Sequence, residues 1–242
     1  MEQAFKKINL DWDNIDTVLL DMDGTLLDLH FDNYYWHDLL PELYAKNNSL
    51  SLSEGKAKLI VLQNKVKGTL DWYCLDYWTE ILKIDIKALK HEILHKIIFR
   101  PNALNFLEYL KQRQKQGGLQ NYPALKIIMA TNAHPDAIEI KMMKAEMSQY
   151  FDFICSSHEL GFAKEEQVFW QLLMKKYQLS PSKCLFIDDS LSVLNSAKKF
   201  GIGSLLAIDK PDSKKEKSDT TPFEAVSNFS QLIINNKFTL DY

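Results

Sequence analysis

Val18-Leu19-Leu20-Asp21-Met22-Asp23-Gly24-Thr25-Leu26 reads as a short apolar strand that runs into a polar turn, with two carboxylates two residues apart at its end. In extended backbone, positions i and i+2 share one side of the chain, so Asp21 and Asp23 point the same way. Gly24 tolerates strained dihedrals, and Thr25 adds a hydroxyl and a backbone amide. Such a pair can serve together as nucleophile, general acid/base and cation site. Taken alone, Asp-x-Asp-Gly is equally an ordinary polar turn, because Asp and Gly are common there. The rest of the chain separates the two readings.

Moving outward, residues 15–20 predict a buried strand. The next stretch predicts four helices, at about 33–45, 52–67, 71–82 and 86–98. Ser51 or Ser53 can cap the second of these and Gly68 can stop it. Arg100-Pro101 marks a boundary, with Pro101 suited to open a helix through Leu110. Beyond it, strand runs at 125–130, 151–155, 184–187 and 204–208 alternate with helical runs at 135–147, 165–177 and 191–200. That alternation predicts an α/β fold, a doubly wound, Rossmann-like parallel sheet covered on both faces. The all-helical block does not fit the alternation and is expected as an insertion. This gives a core of 1–28 and 100–242 with a helical cap of 29–99. Residues 112–123 read as a solvent loop, 210–222 as a mobile charged segment, and 223–234 as a last helix.

In a doubly wound sheet the carboxyl ends of the strands gather at one edge, where ligands bind. The strand ends here carry Asp21 and Asp23, then Thr131-Asn132, then Lys164, then Asp188-Asp189-Ser190. Each has a plainer reading. Thr131-Asn132 and Asp188-Asp189 could be helix caps, and Lys164 a solvated loop residue. Their occurrence in order at successive strand ends favours a site of four carboxylates, an ammonium and a hydroxyl. Carboxylates that close repel, so a divalent cation is expected among them, and magnesium suits all-oxygen ligands with a substrate phosphate.

This ordered set resembles the haloacid dehalogenase-like hydrolase superfamily across essentially the whole chain. Asp21-Met22-Asp23-Gly24-Thr25-Leu26 is similar to its first motif, Thr131 to its second, Lys164 to its third and Asp188-Asp189 to its fourth. The resemblance implies a phosphoaspartate mechanism, with Asp21 as nucleophile and Asp23 as acid/base. It implies Mg2+ held by Asp21, the backbone carbonyl of Asp23, and Asp189, with Asp188 nearby or through water. Phosphate binding would fall to Gly24, Thr25, Thr131, Asn132 and Lys164. The insertion resembles the family's C1-type cap. Glu165 departs from the pattern, since many relatives have proline after the lysine. Asp23 favours phosphatase over dehalogenase chemistry; a mutase shares the motif set. Leu20 to Leu29, Phe31 to Tyr34, Asp71 to Trp78, Thr131 to Pro135 and Phe186 to Ser190 further resemble bacterial GMP/IMP nucleotidases. That implies a purine nucleoside monophosphate as the small phosphate-ester substrate, with sugar phosphates or phosphoglycolate as alternatives. Trp72, Tyr73, Tyr77 and Trp78 fit either the core of the cap or a stacking platform for a purine, as do Tyr34, Tyr35 and Trp36. His134 fits a loop residue before Pro135 or a phosphate contact.

The chain has 242 residues, 46% apolar and 12% aromatic, with net charge −3. This is globular composition and lacks the positive charge that polyanion binding needs, so no nucleic-acid polymer is expected as a partner. Three scattered cysteines suggest no disulfide framework and fit a reducing cytoplasm. Residues 1–13 lack a signal-peptide core, and no run reaches the ~18 apolar residues of a membrane span. His91-Glu92-Ile93-Leu94-His95 matches the zinc-protease pattern and offers a rival chemistry, though no third ligand follows at short spacing.

Overall fold

The computed structural model describes residues 7–117 and 124–233. Strands β1 (Thr17–Leu20), β2 (Lys126–Thr131), β3 (Phe153–Ser156), β4 (Cys184–Asp188), β5 (Ser204–Ile208) and β6 (Glu224–Val226) form one sheet in the order β3-β2-β1-β4-β5-β6. Every neighbouring pair is parallel. Alternation of side chains sends Val18, Leu20, Ile127 and Met129 into one core, and Leu19, Ile128, Ala130 and Phe186 into another. Phe106 and Leu110 of helix Ala103–Gln116 and Ile138 of helix Pro135–Ala145 cover the first face. Phe169 and Trp170 of helix Gln167–Tyr177 and Val193 and Leu194 of helix Leu191–Phe200 cover the second. This is the doubly wound arrangement expected from the sequence.

The helical block lies between β1 and β2. Its first stretch is α-helical over His30–Tyr34, a π turn over Tyr35–Leu39 and α-helical again over Leu40–Asn47. Pro41 has no N–H to give to the preceding turn, and the wider register lies just before it. Ser51 and Glu54 form a capping box on helix Leu52–Val66. The single helix expected at 71–82 is broken. Helix Leu70–Tyr73 ends at Cys74, whose Sγ accepts from Tyr77 N at 3.5 Å and so caps helix Leu75–Leu82. The helix expected at 86–98 stops at His91 and resumes only as a 3-10 turn over Leu94–Lys96. His91 and His95 are both exposed and lie on different segments, so the zinc-protease arrangement is not built.

The two connections between block and sheet run side by side. Asp28 N donates to Ile98 O at 2.9 Å, and Arg100 N to Leu26 O at 2.9 Å. Helix Ala103–Gln116 continues past the expected end at Leu110, so only residue 117 of the described chain belongs to the loop; 118–123 lie outside the described residues.

Two C-terminal expectations are corrected. The segment 210–222 is anchored. Leu29 N donates to Pro211 O at 2.9 Å, and Asn33 Nδ2 to the buried Asp212 carboxylate at 2.7 Å. The helix expected at 223–234 is replaced by a strand and one 3-10 turn: Glu224–Val226 pairs with Leu206, Ala207 and Ile208, and Phe229 of the 3-10 turn Phe229–Gln231 stacks on Phe106 at 5.2 Å. Ala225-Val226 beside an unpaired edge satisfies its backbone better as strand than as a short helix. Residue 234 lies outside the described residues.

Candidate active site

At the end of β1 the chain folds back on itself, with Leu26 N and Leu27 N both donating to Met22 O at 3.0 and 2.9 Å. Gly24 has φ +79, and a Cβ there would run into the Asp189 carboxylate, so the turn requires glycine twice over. β1 pairs with β2 and β4, which draws their ends to the same place. Lys164 Nζ, buried, donates to Asp21 Oδ1 at 2.5 Å, to Asp188 Oδ2 at 2.7 Å and to Ala130 O at 3.1 Å. Asp21, Asp188 and Asp189 bring carboxylate oxygens within 4.8 Å of one another. Burial lifts the Asp21 carboxyl to about 6, against the pull of Lys164. Burial, followed by repulsion from Asp188 and Asp21, raises Asp189 well above its ordinary value. One contacting ammonium thus faces three carboxylates, which leaves a surplus of two negative charges at a dry site.

A second buried ammonium stands beside Asp23. Lys141 Nζ donates to Asp23 Oδ1 and Asp32 Oδ2, both at 2.6 Å, and Lys90 Nζ donates to Asp32 Oδ1 at 2.8 Å. Lys90 also lies 4.5 Å from the Tyr35 ring centroid. Burial lifts Asp23 to about 6, with Lys141 opposing it. Burial would raise Asp32 too, but Lys141 and Lys90 outweigh it and hold its carboxyl below the usual range.

The loops after β2 and β3 are tied together through Asn132. Its Oδ1 accepts from Lys164 N at 2.9 Å and its Nδ2 donates to Glu165 Oε2 at 3.0 Å. Glu165 Oε1 accepts from Tyr73 OH at 2.8 Å, so the residue that replaces proline joins the helical block to the lysine loop. Thr131 Oγ1 accepts from Ala133 N at 3.1 Å, which leaves its O–H free to donate.

These groups line a cavity of about 320 Å³ between the strand ends and the helical block, at the lower end of the ~300–1,000 Å³ usual for small-molecule sites. Asp21, Asp23, Thr131, Asn132, Lys164 and both Asp188 and Asp189 reach it; Gly24 and Thr25 do not. Thr25 is fully buried and its Oγ1 has no hydrogen-bond partner. The opposite wall includes Trp36, Trp72 and Tyr73. Trp78 is 1% exposed and packs edge-on to Trp36 and Tyr77, which makes it core of the block. His134 caps helix Pro135–Ala145, with Nδ1 accepting from Asp136 N at 3.3 Å, and also lines the cavity.

The family profile described as haloacid dehalogenase-like hydrolase matches residues 15–201. The chain is a haloacid dehalogenase-like hydrolase. It is 37% identical over 226 residues to the GMP/IMP nucleotidase YrfG of Escherichia coli (strain K12), covering 93% of this chain and 97% of that protein. It is 22% identical over 208 residues to a phosphorylated carbohydrates phosphatase of Thermotoga maritima, covering 80% and 85% of the two chains. The crystal structure of a HAD phosphatase from Thermococcus onnurineus shares the fold, with a TM-score of 0.69 and 17% identity over 90% of this chain and 95% of that one.

Sequence reasoning missed Asp32, Lys90 and Lys141 in this haloacid dehalogenase-like hydrolase. One signal was there: Lys141 follows Ala137 and Ile138 by four and three residues on the buried side of its helix. A lysine on an apolar face needs a partner. Among the described residues, no helix is long and apolar enough to cross a membrane.

Proposed function

We propose that this hydrolase is a magnesium-dependent phosphatase that removes the 5′-phosphate of purine mononucleotides through a phosphoaspartate. The observation that carries the phosphatase reading is the pairing of Asp21, held by Lys164, with a second carboxyl, Asp23, whose ordinary value is raised to about 6. In this reading Asp21 attacks phosphorus, and the departing 5′-oxygen takes the proton of Asp23. Asp23, now a carboxylate, takes a proton from the water that attacks the aspartyl phosphate, and Asp21 is regenerated. A carboxyl poised near neutrality suits both halves of that exchange. Thr131 and Lys164 would donate to phosphoryl oxygens, where charge develops. Gly24 and Thr25 shape the turn and bind no phosphate directly.

The donor set of Asp21, Asp188 and Asp189 suits magnesium, because it is all oxygen and carries two surplus negative charges. Asp23 would add its backbone carbonyl. Bound there, the ion would neutralise phosphoryl charge and orient the ester. The helical block, 29–99, would act as a cap over the core of 1–28 and 100–242, with Trp72 or Trp36 available to a purine ring. The 37% identity to a GMP/IMP nucleotidase supports the choice of substrate.

A panel of phosphate monoesters with magnesium tests the reading. GMP and IMP should exceed pyrimidine monophosphates and sugar phosphates in kcat/KM by about ten- to a hundredfold, the worth of one stacked base. EDTA should abolish turnover and magnesium restore it. Trp72→Ala should remove the purine preference yet spare p-nitrophenyl phosphate. Sugar phosphates outranking GMP would keep the phosphatase and discard the nucleotidase.

A further inference from the structure

A second constellation reaches the cavity through His134 and offers nitrogen and sulfur ligands in place of oxygen. β2 and β3 are neighbours, with Thr131 paired to Ser156. The turns that follow them therefore bring His134 and His158 together, ring centroids 5.0 Å apart and edge to face. Cys74, at the break between two helices of the inserted block, closes the group from the other side. The three residues offer one ligand atom each within 4.8 Å of the others. Asp76 Oδ2 lies 3.5 Å from His134 Nε2.

Two further observations separate this group from a chance cluster. His158 Nε2 is buried with no hydrogen-bond partner, although a buried ring nitrogen normally has one. The ring's own hydrogen bond goes to the backbone of Asn132, the kind of outer contact that orients a ligating imidazole. Cys74 sits at the N-cap of an eight-residue helix, with Sγ accepting from Tyr77 N at 3.5 Å, which fixes the sulfur facing the two imidazoles' side of the break.

We propose that Cys74, His134 and His158 form a transition-metal site of the zinc class, separate from the carboxylate site, that ties the helical insertion to the sheet. One thiolate and two imidazoles suit zinc or cobalt and are poor ligands for magnesium. Asp76 or water completes four-coordination. Ligand atoms around a tetrahedral zinc lie roughly 3.3–3.8 Å apart, so the three side chains close by about an ångström on loading. The metal joins the insertion to the sheet beside His134, which lines the cavity, so loading slows exchange of substrate and product.

The test is a cobalt titration of the metal-stripped full chain in saturating magnesium, which fills the carboxylate site. One equivalent of cobalt should produce a thiolate-to-cobalt charge-transfer band in the near ultraviolet and the intense visible bands of a tetrahedral ion. Zinc should displace it. Cys74→Ser should remove the charge-transfer band, and serine keeps the helix N-cap, so that variant should remain folded. His158→Asn should weaken cobalt at least tenfold. Stoichiometric zinc should inhibit the wild-type chain and not Cys74→Ser. A wild-type chain without the band at one equivalent, or a band that survives Cys74→Ser, would overturn the proposal. Neither readout depends on which ester is hydrolysed.

Discussion

Lys164 and Lys141 are both about 2% exposed, and each bridges two aspartates at hydrogen-bond distance. Their surroundings differ in charge and in origin. Around Lys141, two ammoniums face two carboxylates, because Lys90 also binds Asp32. Around Lys164, one ammonium faces three. The first group is closed and spans the sheet, one of its helices and the insertion. The second is drawn from the ends of β1 and β4 and the connection after β3, with no residue of the insertion, and lacks two positive charges. A balanced cluster can hold parts in place, whereas an unbalanced one needs a further cation before it is stable. On this comparison, Lys141 and Lys90 fix Asp23 and the insertion, and in the proposed mechanism Lys164 would share its task with a metal ion.

The sharpest break of the comparison is Asp21→Asn. It should lower phosphate release by about 10⁴-fold or more with an unchanged far-ultraviolet circular dichroism spectrum, since an amide cannot act as nucleophile. Turnover within tenfold of the wild type would remove Asp21 from the reaction.

Next come the two lysines themselves. Lys141→Met should reduce kcat by about 10²–10³-fold, because Asp23 loses the cation that fixes it. Lys164→Met leaves two carboxylates unpaired and should cost stability as well, about 3–5 kcal/mol in a denaturant titration. If Lys164→Met proved the more stable of the two, the charge argument would fail. Excess magnesium should restore part of the stability lost in Lys164→Met and none of that lost in Lys141→Met.

Lys90→Met should do less than Lys141→Met, because Asp32 keeps one ammonium and Asp23 is untouched. A kcat effect as large as that of Lys141→Met would mean that the insertion, rather than the helix, positions Asp23. The smallest effect is expected of Tyr73→Phe. It removes one hydrogen bond to Glu165, worth about 1 kcal/mol, and should raise KM severalfold with kcat nearly unchanged.

The same comparison explains what was legible in the sequence. Asp21, Thr131 and Asp188 each end an apolar strand run, and Lys164 lies in the connection that leaves β3, so the topology of a doubly wound sheet brings them to one edge without any knowledge of side-chain packing. Lys141, Asp32 and Lys90 belong to helices, and whether three helical residues meet depends on how the insertion docks, which no local period encodes. Helix breaks at Cys74 and His91 were hidden for a related reason. The apolar spacing continues through both, and the interruption comes from packing and capping. β6 is three residues long and gains its identity only from the edge of β5.

The strand order bears on how the chain is made. β1 lies in the middle of the sheet, flanked by β2 and β4. Among the six strands it comes first in chain order, and its partners Lys126–Thr131 and Cys184–Asp188 come more than a hundred residues later. Through that interval Thr17–Leu20 has no native strand to pair with, while the helices of the insertion can form from local contacts. The long closure makes the assembly of the sheet a late event in synthesis. A nascent chain stalled before residue 184 should hold folded helices around an unfinished sheet, accessible to protease and to chaperones, with Asp21 and Asp23 on an unpaired edge.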